Sequence, residues 1–443
     1  MTRILSTIGI AICFVTGTVP AYAALQIQNW TLENGARVLF VENRTIPMLD
    51  VSVEFDAGAR RDPAGKAGLA AFTNGMLARG VLAVATEPAL SEAQVSDAFA
   101  DTAAQRSGAA GSERAGVSLR TLSSPAERDA SLTLLARLLA QPSFPEGILA
   151  RDKARTIANL KDELTKPEAI ADKAFWKALY GNHPYGQQAS VESVAAISRA
   201  DVLEFHRSHY VADRAVIALI GDISRPEADA IAQQLTRRLP HSTAALPAMP
   251  DVPPAHAEEL RIPHPASQAH ILIGAPALQR NDPDYFTLTV GNYILGGGGF
   301  VSRLTREVRE KRGLSYSIYS YFSPMLQPGP FQIGLQTSKA QADDALKVVR
   351  STLTTFLQDG PSQAELKAAK DNLIGGFALR IDNNRKILDN IAAIGFYQLP
   401  LDYLDTWTAN IAKVTTADIR AAFARKVALD KLVTVVVGVD QKK

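Results

Sequence analysis

The sequence predicts an α+β fold of two similar domains, each with a mostly antiparallel sheet packed against helices. Short apolar strands alternate with amphipathic helices along the whole chain. A proline-rich segment divides the chain nearly in half, and the parts on either side of it repeat the same order of elements. A length of 443 residues also exceeds what one ordinary hydrophobic core holds.

The first residues are typical of a secreted protein. Met1-Thr2-Arg3 gives a positive start, residues 4–19 form a short apolar run, and Ala21-Tyr22-Ala23 is a small-x-small site. This order predicts a signal peptide over residues 1–23, cleavage after Ala23, and a periplasmic or secreted protein. An uncleaved anchor is the alternative. The single cysteine, Cys13, lies in this segment, so the mature chain is expected to have no disulfide and no thiol chemistry.

Charge and hydropathy exclude two classes of partner. The net charge is +2, 21% of the residues are charged, and no run rich in Lys or Arg occurs. Such a balance gives no electrostatic surface for nucleic acid or anionic lipid. After the signal peptide no apolar segment is long enough to span a bilayer, so no membrane span is expected.

The predicted N-terminal domain, residues 24–238, opens with two strands and a helix. Leu32–Val41 and Met48–Phe55 carry the apolar pattern of strands, and Ala67–Leu77 has that of a helix. Helical patterns then dominate, over Ala126–Leu139, Pro145–Leu164, Ala169–Leu179 and Arg199–His209. Residues 239–265 contain seven prolines and are predicted to form an extended linker.

The predicted C-terminal domain, residues 266–443, repeats the N-terminal pattern. The stretch from Ile197 to Gly221 aligns without a gap with the stretch from Val414 to Gly438. In each copy a Ser or Thr precedes a helix, and a run rich in Val and Ile then stops at glycine. An alternating strand is followed by Asp-Pro and a helix near the start of both halves. Two such matches in the same order indicate a duplication.

Residues 68–80 have the frame of an inverted zinc-protease helix, Gly-Leu-Ala, then Met-Leu, then Gly, around a His-x-x-Glu-His core. The core itself is absent, since Ala71, Asn74 and Gly75 stand at the positions of the first His, the Glu and the second His. In that motif the two His bind Zn²⁺ and the Glu is the general base. Alanine and glycine cannot ligate a metal, and asparagine cannot take a proton at neutral pH. No catalytic zinc is therefore expected in this chain.

Further motifs join this frame in a family pattern. They are Asn34-Gly35 before Val38-Leu39-Phe40, Gly58–Pro63, Gly181-Asn182-His183-Pro184-Tyr185-Gly186, Ile294–Phe300, Ser302-Arg303-Leu304 and Arg309–Tyr316. With the frame helix they make the sequence similar to the M16 metalloprotease family, which includes pitrilysin, insulin-degrading enzyme and the mitochondrial processing peptidase. The resemblance covers almost the whole mature chain. It implies two homologous α/β domains like those of LuxS and the mitochondrial processing peptidase.

The resemblance also assigns roles to positions outside the frame helix. The family's third zinc ligand, a Glu on a later helix, falls at Asn159 when counted back from Pro167, with Glu163 one turn further on. An Arg–Tyr pair from the C-terminal half falls at Arg309 and Tyr316. In the family this Tyr donates a hydrogen bond to the oxyanion, and the Arg holds the substrate backbone. The alternative is a surface helix charge and an ordinary strand aromatic.

These features imply the non-catalytic subunit of a heterodimeric periplasmic zinc endopeptidase. Arg309 and Tyr316 would act in trans on the zinc site of a partner that carries His-x-x-Glu-His, with a peptide or unfolded polypeptide as substrate. No cofactor is expected in this chain, because the zinc belongs to the partner. One alternative is a periplasmic peptide-binding or scaffold protein with no catalytic role. Another is a zinc protease with displaced ligands.

Two weaker signals have ordinary interpretations. The glycine-rich loop Gly296, Gly297, Gly298 and Gly299 lacks the Lys-Ser/Thr of a phosphate-binding loop. The resemblance implies a mobile element there, although a structural turn fits equally well. His206 and His209 are spaced to hold a metal, but no nearby Cys or His completes a set, so a polar helix face is the preferred interpretation.

Overall fold

A computed structural model of the chain describes residues 25–84 and 87–440. The predicted signal peptide, residues 1–23 with Cys13, lies outside these ranges. Among the helices of the described ranges, none combines the length and the apolar character needed to cross a bilayer.

The N-terminal domain is built on a six-stranded sheet. The strands are β1 (Gln28–Thr31), β2 (Arg37–Glu42), β3 (Met48–Phe55), β4 (Gly80–Val81), β5 (Leu90–Ser91), β6 (Gln105–Ala110), β7 (Ala115–Leu122) and β8 (Val216–Gly221). The sheet has the order β1-β2-β8-β3-β7-β6, and β4 pairs separately with β5. Strands β2 and β8 run parallel, and the other neighbours in the sheet are antiparallel.

Eight α-helices belong to the N-terminal half of the described chain. They are α1 (Leu69–Met76), α2 (Glu92–Asp101), α3 (Pro125–Ala140), α4 (Glu146–Glu163), α5 (Pro167–Tyr180), α6 (Val191–Ala196), α7 (Arg199–His209) and α8 (Arg225–Thr236). Capping boxes start several of them; Ser198, for example, accepts from the backbone N–H of Asp201 at the start of α7. Apolar residues of one sheet face and of these helices form one core.

The C-terminal domain repeats this sheet without its first strand. Its strands are β9 (Glu258–Pro263), β10 (Gln268–Leu278), β11 (Ile318–Phe322), β12 (Gly329–Ser338) and β13 (Val433–Val439). The order β11-β12-β10-β13-β9 matches β6-β7-β3-β8-β2, and β9 lies parallel to β13 as β2 does to β8. The helices are α9 (Tyr285–Asn292), α10 (Ala342–Asp359), α11 (Gln363–Gly375), α12 (Asn384–Tyr397), α13 (Tyr403–Lys413) and α14 (Thr416–Lys426). The two-domain α+β prediction is confirmed.

One helix of each domain packs on the sheet of the other domain. Helix α5 packs on β10 and β13, where Phe175 and Leu179 meet Val433 and Val435. Helix α12 packs on β2, β3 and β8 of the N-terminal sheet. The two helices are related by the same shift in numbering as the aligned repeat in the sequence. Helices therefore cover both faces of each sheet.

The proline-rich segment is partly a strand. Residues 237–257 contain neither helix nor strand and run along the N-terminal domain, where the Pro247 carbonyl accepts a hydrogen bond from Arg61 at 2.6 Å. Residues 258–263, inside the predicted linker, form the edge strand β9. An edge strand needs ladder hydrogen bonds on one side only, which is why Pro263 is tolerated at the end of β9.

The close packing of α12 on the N-terminal sheet predicts that a larger side chain at Gly395 destabilises the fold. Gly395 of α12 lies so close to the N-terminal sheet that a Cβ would approach Leu39 Cδ1 to 2.5 Å and Val216 Cγ1 to 2.7 Å. We expect Gly395→Leu to lower the free energy of unfolding by about 1 to 3 kcal/mol through overpacking. Gly375→Leu is the matched control, since a Cβ there meets nothing within 4 Å. Urea denaturation of both variants checks this, and equal stabilities would contradict the packing of α12.

Candidate functional site

Helix α1 carries the frame of the lost zinc motif, and its start is fixed by Asp62. The Asp62 carboxylate accepts the backbone N–H groups of Gly68 at 2.6 Å and Ala70 at 2.7 Å. Burial raises the pKa of Asp62 to about 6, against the lowering effect of these N–H donors. Gly68 has φ +103°, a left-handed conformation that favours glycine. The N-terminus of α1 is thus held without any metal.

Ala71 and Gly75 lie on the exposed face of α1. They are four residues apart, so they occupy neighbouring turns of one helix face. A Cβ added to Gly75 would meet nothing within 4 Å. Neither residue offers a donor atom, so these positions do not fit Zn²⁺. Across the described residues no group of three or more His, Cys, Asp or Glu side chains could hold a metal ion.

Asn74, at the position of the catalytic Glu, has a structural role. Its side chain is 2% exposed, and its Nδ2 donates to the Gly116 carbonyl at 3.0 Å and to Tyr210 Oη at 3.2 Å. Burial raises the pKa of Tyr210, so this phenol stays protonated at neutral pH. Asn74 therefore ties α1 to β7 and to the end of α7. Its Nδ2 is occupied by structural hydrogen bonds.

The proposed third ligand position also lacks metal-binding chemistry. Asn159 lies exposed on α4. Glu163, the last residue of α4, has its carboxylate 3.9 Å from Lys173 Nζ. An exposed amide and one carboxylate do not make a zinc site.

The structure brings Arg309 and Tyr316 together. Arg309 lies in a π-helical turn, Thr305–Glu310, and Tyr316 lies between that turn and β11. The guanidinium carbon of Arg309 is 4.7 Å from the Tyr316 ring centroid and 4.8 Å from that of Phe300. Tyr316 is 84% exposed and Phe300 67%. Arg309 is thus held between two aromatic rings at the surface by cation–π contacts. Phe300 was missed as a contributor, and its place beside the glycine-rich loop was the available signal.

In the loop before Phe300, glycines are required by close contacts with neighbouring atoms and by a left-handed backbone conformation. A Cβ on Gly296 would lie 2.6 Å from the Ser320 backbone nitrogen of β11, so only glycine fits. Gly297 and Gly298 would likewise meet Asn292 and Tyr293 at 2.6 Å. Gly299 has φ +61° with open space around it. The loop is therefore a close-packed turn. It places the Phe300 ring against the Arg309 guanidinium.

The histidines singled out in the sequence make packing contacts. His206 is buried, its Nε2 lies 2.8 Å from the Leu139 carbonyl, and burial lowers its pKa to about 4. His209 stacks on Phe205 with ring centroids 4.1 Å apart. His183 Nδ1 accepts the Tyr185 N–H at 3.1 Å. The predicted polar helix face is therefore wrong at His206, whose ring packs inside the domain.

Glu113 is a buried carboxylate that joins the two domains. It lies in the turn between β6 and β7 and is 3% exposed. It accepts hydrogen bonds from the Leu326 backbone N–H and the Tyr397 hydroxyl, both at 3.0 Å, and from the Tyr185 hydroxyl. Leu326 and Tyr397 belong to the C-terminal half. No motif marked Glu113, because a Glu in a hairpin is ordinarily exposed.

Known proteins are similar to this chain in sequence and in fold. The family profile described as Peptidase M16 inactive domain matches residues 196–373. The "Uncharacterized zinc protease YmxG" of Bacillus subtilis strain 168 is 26% identical over 368 residues, 82% of this chain and 87% of that protein. A crystal structure of a peptidase M16 inactive domain from Pseudomonas fluorescens is 38% identical, with a TM-score of 0.88 over 95% of this chain and 100% of that one. The periplasmic protease PqqL from Escherichia coli, 16% identical, has the same fold with a TM-score of 0.79 over 94% of this chain and 45% of PqqL.

The structural role of Asn74 can be measured. We expect Asn74→Ala to lower the free energy of unfolding by about 1 to 3 kcal/mol, because the buried Tyr210 hydroxyl loses its partner. Asn159→Ala, the same change at an exposed position, is expected to stay within about 0.5 kcal/mol of wild type. Chemical denaturation monitored by circular dichroism compares the two. An unchanged stability of Asn74→Ala would show that these hydrogen bonds do not hold α1.

Proposed function

The chain belongs to the M16 peptidase family and lacks its zinc motif, and from this premise we propose that it is the non-catalytic subunit of a heterodimeric periplasmic zinc endopeptidase. The partner subunit carries His-x-x-Glu-His and binds the zinc. This chain supplies Arg309 and Tyr316 to the partner's site. The predicted signal peptide supports the periplasmic location.

The observation that carries the proposal is the exposed stack of Phe300, Arg309 and Tyr316. Both functional groups are in place before any partner binds. No hydrogen bond of the Tyr316 hydroxyl occurs among the described residues, so this donor is available to an oxyanion supplied from outside the chain. A preformed donor of this kind contributes roughly 3 kcal/mol to transition-state stabilisation.

The stack is not paired with this chain's own frame helix. In the described ranges no hydrogen bond, ion pair or aromatic contact joins α1 to Arg309 or Tyr316. Since α1 provides no zinc ligand, the pair has no metal to serve within its own chain. A second chain with an intact His-x-x-Glu-His motif supplies the zinc on which Arg309 and Tyr316 act.

The sheet edges support a peptide as substrate. Strand β6 is last in the N-terminal sheet, and β11 is last in the C-terminal sheet. Each edge leaves a row of backbone N–H and C=O groups to which an extended peptide can add as a strand. Main-chain pairing gives affinity with modest sequence selectivity, as cleavage of unfolded polypeptides requires.

Co-expression with an M16 chain that carries His-x-x-Glu-His tests the proposal. We expect cleavage of an unfolded polypeptide only by the pair, with zinc in the partner. Tyr316→Phe in this chain is expected to lower kcat roughly a hundredfold to a thousandfold without affecting assembly, because it removes the oxyanion donor. Tyr319→Phe on the adjacent strand is the matched control and is expected to retain activity.

The same experiment separates the alternatives. Normal cleavage by Tyr316→Phe would show that its role in trans is wrong. Assembly of an inactive pair that still binds peptide would favour the binding or scaffold function. Stoichiometric zinc in this chain alone, retained through dialysis, would favour a protease with displaced ligands.

A further inference from the structure

An arginine stands beside the vacated motif on α1. Arg106 of β6 pairs with Leu119 of β7, which places its side chain on the sheet face that packs against the N-terminal helices. Two residues on, a Cβ at Gly108 would lie 3.1 Å from Asn74 Oδ1 and 3.4 Å from Arg106 Nη1. The guanidinium is therefore close to Asn74, the position of the family's catalytic base.

This guanidinium has no acidic partner among the residues that the structure describes. Within the described ranges Arg106 makes no hydrogen bond or ion pair, although its side chain is half-buried. Burial lowers the pKa of Arg106, and the positive charge of Arg79 lowers it further; no carboxylate opposes them. Arg79 itself is paired with Glu92 and lies 3.2 Å from Asp152. A half-buried cation without a counter-charge is a ready site for an anion from outside.

The surroundings of Arg106 admit a peptide. Strand β6 is an edge strand of the sheet, so a peptide added there runs past Arg106. The neighbouring exposed face of α1 carries the small residues Ala71 and Gly75, and a Cβ at Gly75 would meet no described atom within 4 Å. The planar guanidinium forms paired hydrogen bonds with a carboxylate.

We propose that the shelf formed by Ala71, Gly75, Arg106 and the edge strand β6 binds a carboxylate of a peptide. The carboxylate comes from the C-terminus of the peptide or from an Asp or Glu side chain. All groups of the shelf belong to this chain, so the proposal does not depend on a partner subunit.

Peptide binding to the isolated, full-length mature chain tests the shelf. The probes are ten-residue peptides with a neutral BODIPY dye at the N-terminus and no acidic residue, one with a free C-terminal carboxylate and one amidated. A third probe is amidated and contains one internal Glu. Fluorescence anisotropy gives the three dissociation constants. We expect at least one carboxylate-bearing probe to bind about tenfold or more tightly than the neutral amide.

Three variants test whether Arg106 causes the preference for carboxylate-bearing probes. Arg106→Gln is expected to abolish the difference between acid and amide without lowering the urea midpoint, because Arg106 makes no hydrogen bond or ion pair within the described ranges. Arg106→Lys should retain part of the difference, since charge remains and the fork is lost. Arg420→Gln removes the same charge at an exposed position of α14. This control should retain the whole difference in affinity between acid and amide.

The outcomes are distinct. A preference for the free acid alone identifies the C-terminus as the carboxylate source, and an equal preference for the internal Glu identifies a side chain. Equal affinity for all three probes, no binding of any of them, or an unchanged preference in Arg106→Gln would overturn the proposal. Since no partner is present, none of these results bears on the role of Tyr316.

Discussion

The exchange of α5 and α12 between the two sheets is the contact on which the rest of the structure depends. The central strands β8 and β13 are buried along nearly their whole lengths, so both faces of each sheet need a cover. The helices of one domain cover one face, and the helix from the other domain covers the second. Folding of either half therefore fixes its position against the other. The buried Glu113 adds hydrogen bonds across the same junction.

Helix α1 is held in place by its own hydrogen bonds, although it lacks the zinc motif. Asp62 holds the start of the helix, and Asn74 holds its middle against β7. In the C-terminal domain close-packed glycines and Phe300 present Arg309 and Tyr316 at the surface. The chain thus has the scaffold of an M16 zinc helix without its ligands, and it displays Arg309 and Tyr316 at its surface, as the proposed shared site requires.

Much of the fold could be read from the sequence because its signals are local or repeated. Strands β2, β3, β8, β10 and β13 and the caps of α7 and α14 follow from periodicity and capping residues. The helix exchange could not be predicted, because periodicity shows that a face is apolar but not which helix covers it. Strand β9 was hidden among prolines, and a strand at a sheet edge leaves only a weak pattern.

The candidate site was only partly visible in the sequence. Arg309 and Tyr316 were identified by family resemblance, and the structure brings them into contact. Phe300 ends a family motif but had no role assigned to it, and Arg106 lay outside any motif. Their contacts depend on the turn at Gly299 and on the register of β6 with β7, which only a folded backbone defines.

The central claim is that Tyr316 meets the zinc helix of another chain. Because the predicted mature chain has no cysteine, Val301→Cys, at an exposed position next to Phe300, can carry a single photocrosslinker. Mass spectrometry of the crosslinked complex with a His-x-x-Glu-His partner identifies the peptide contacted. We predict crosslinks to the partner segment that contains the zinc motif. Crosslinks confined to this chain, or to a partner surface remote from its zinc, would contradict the shared site.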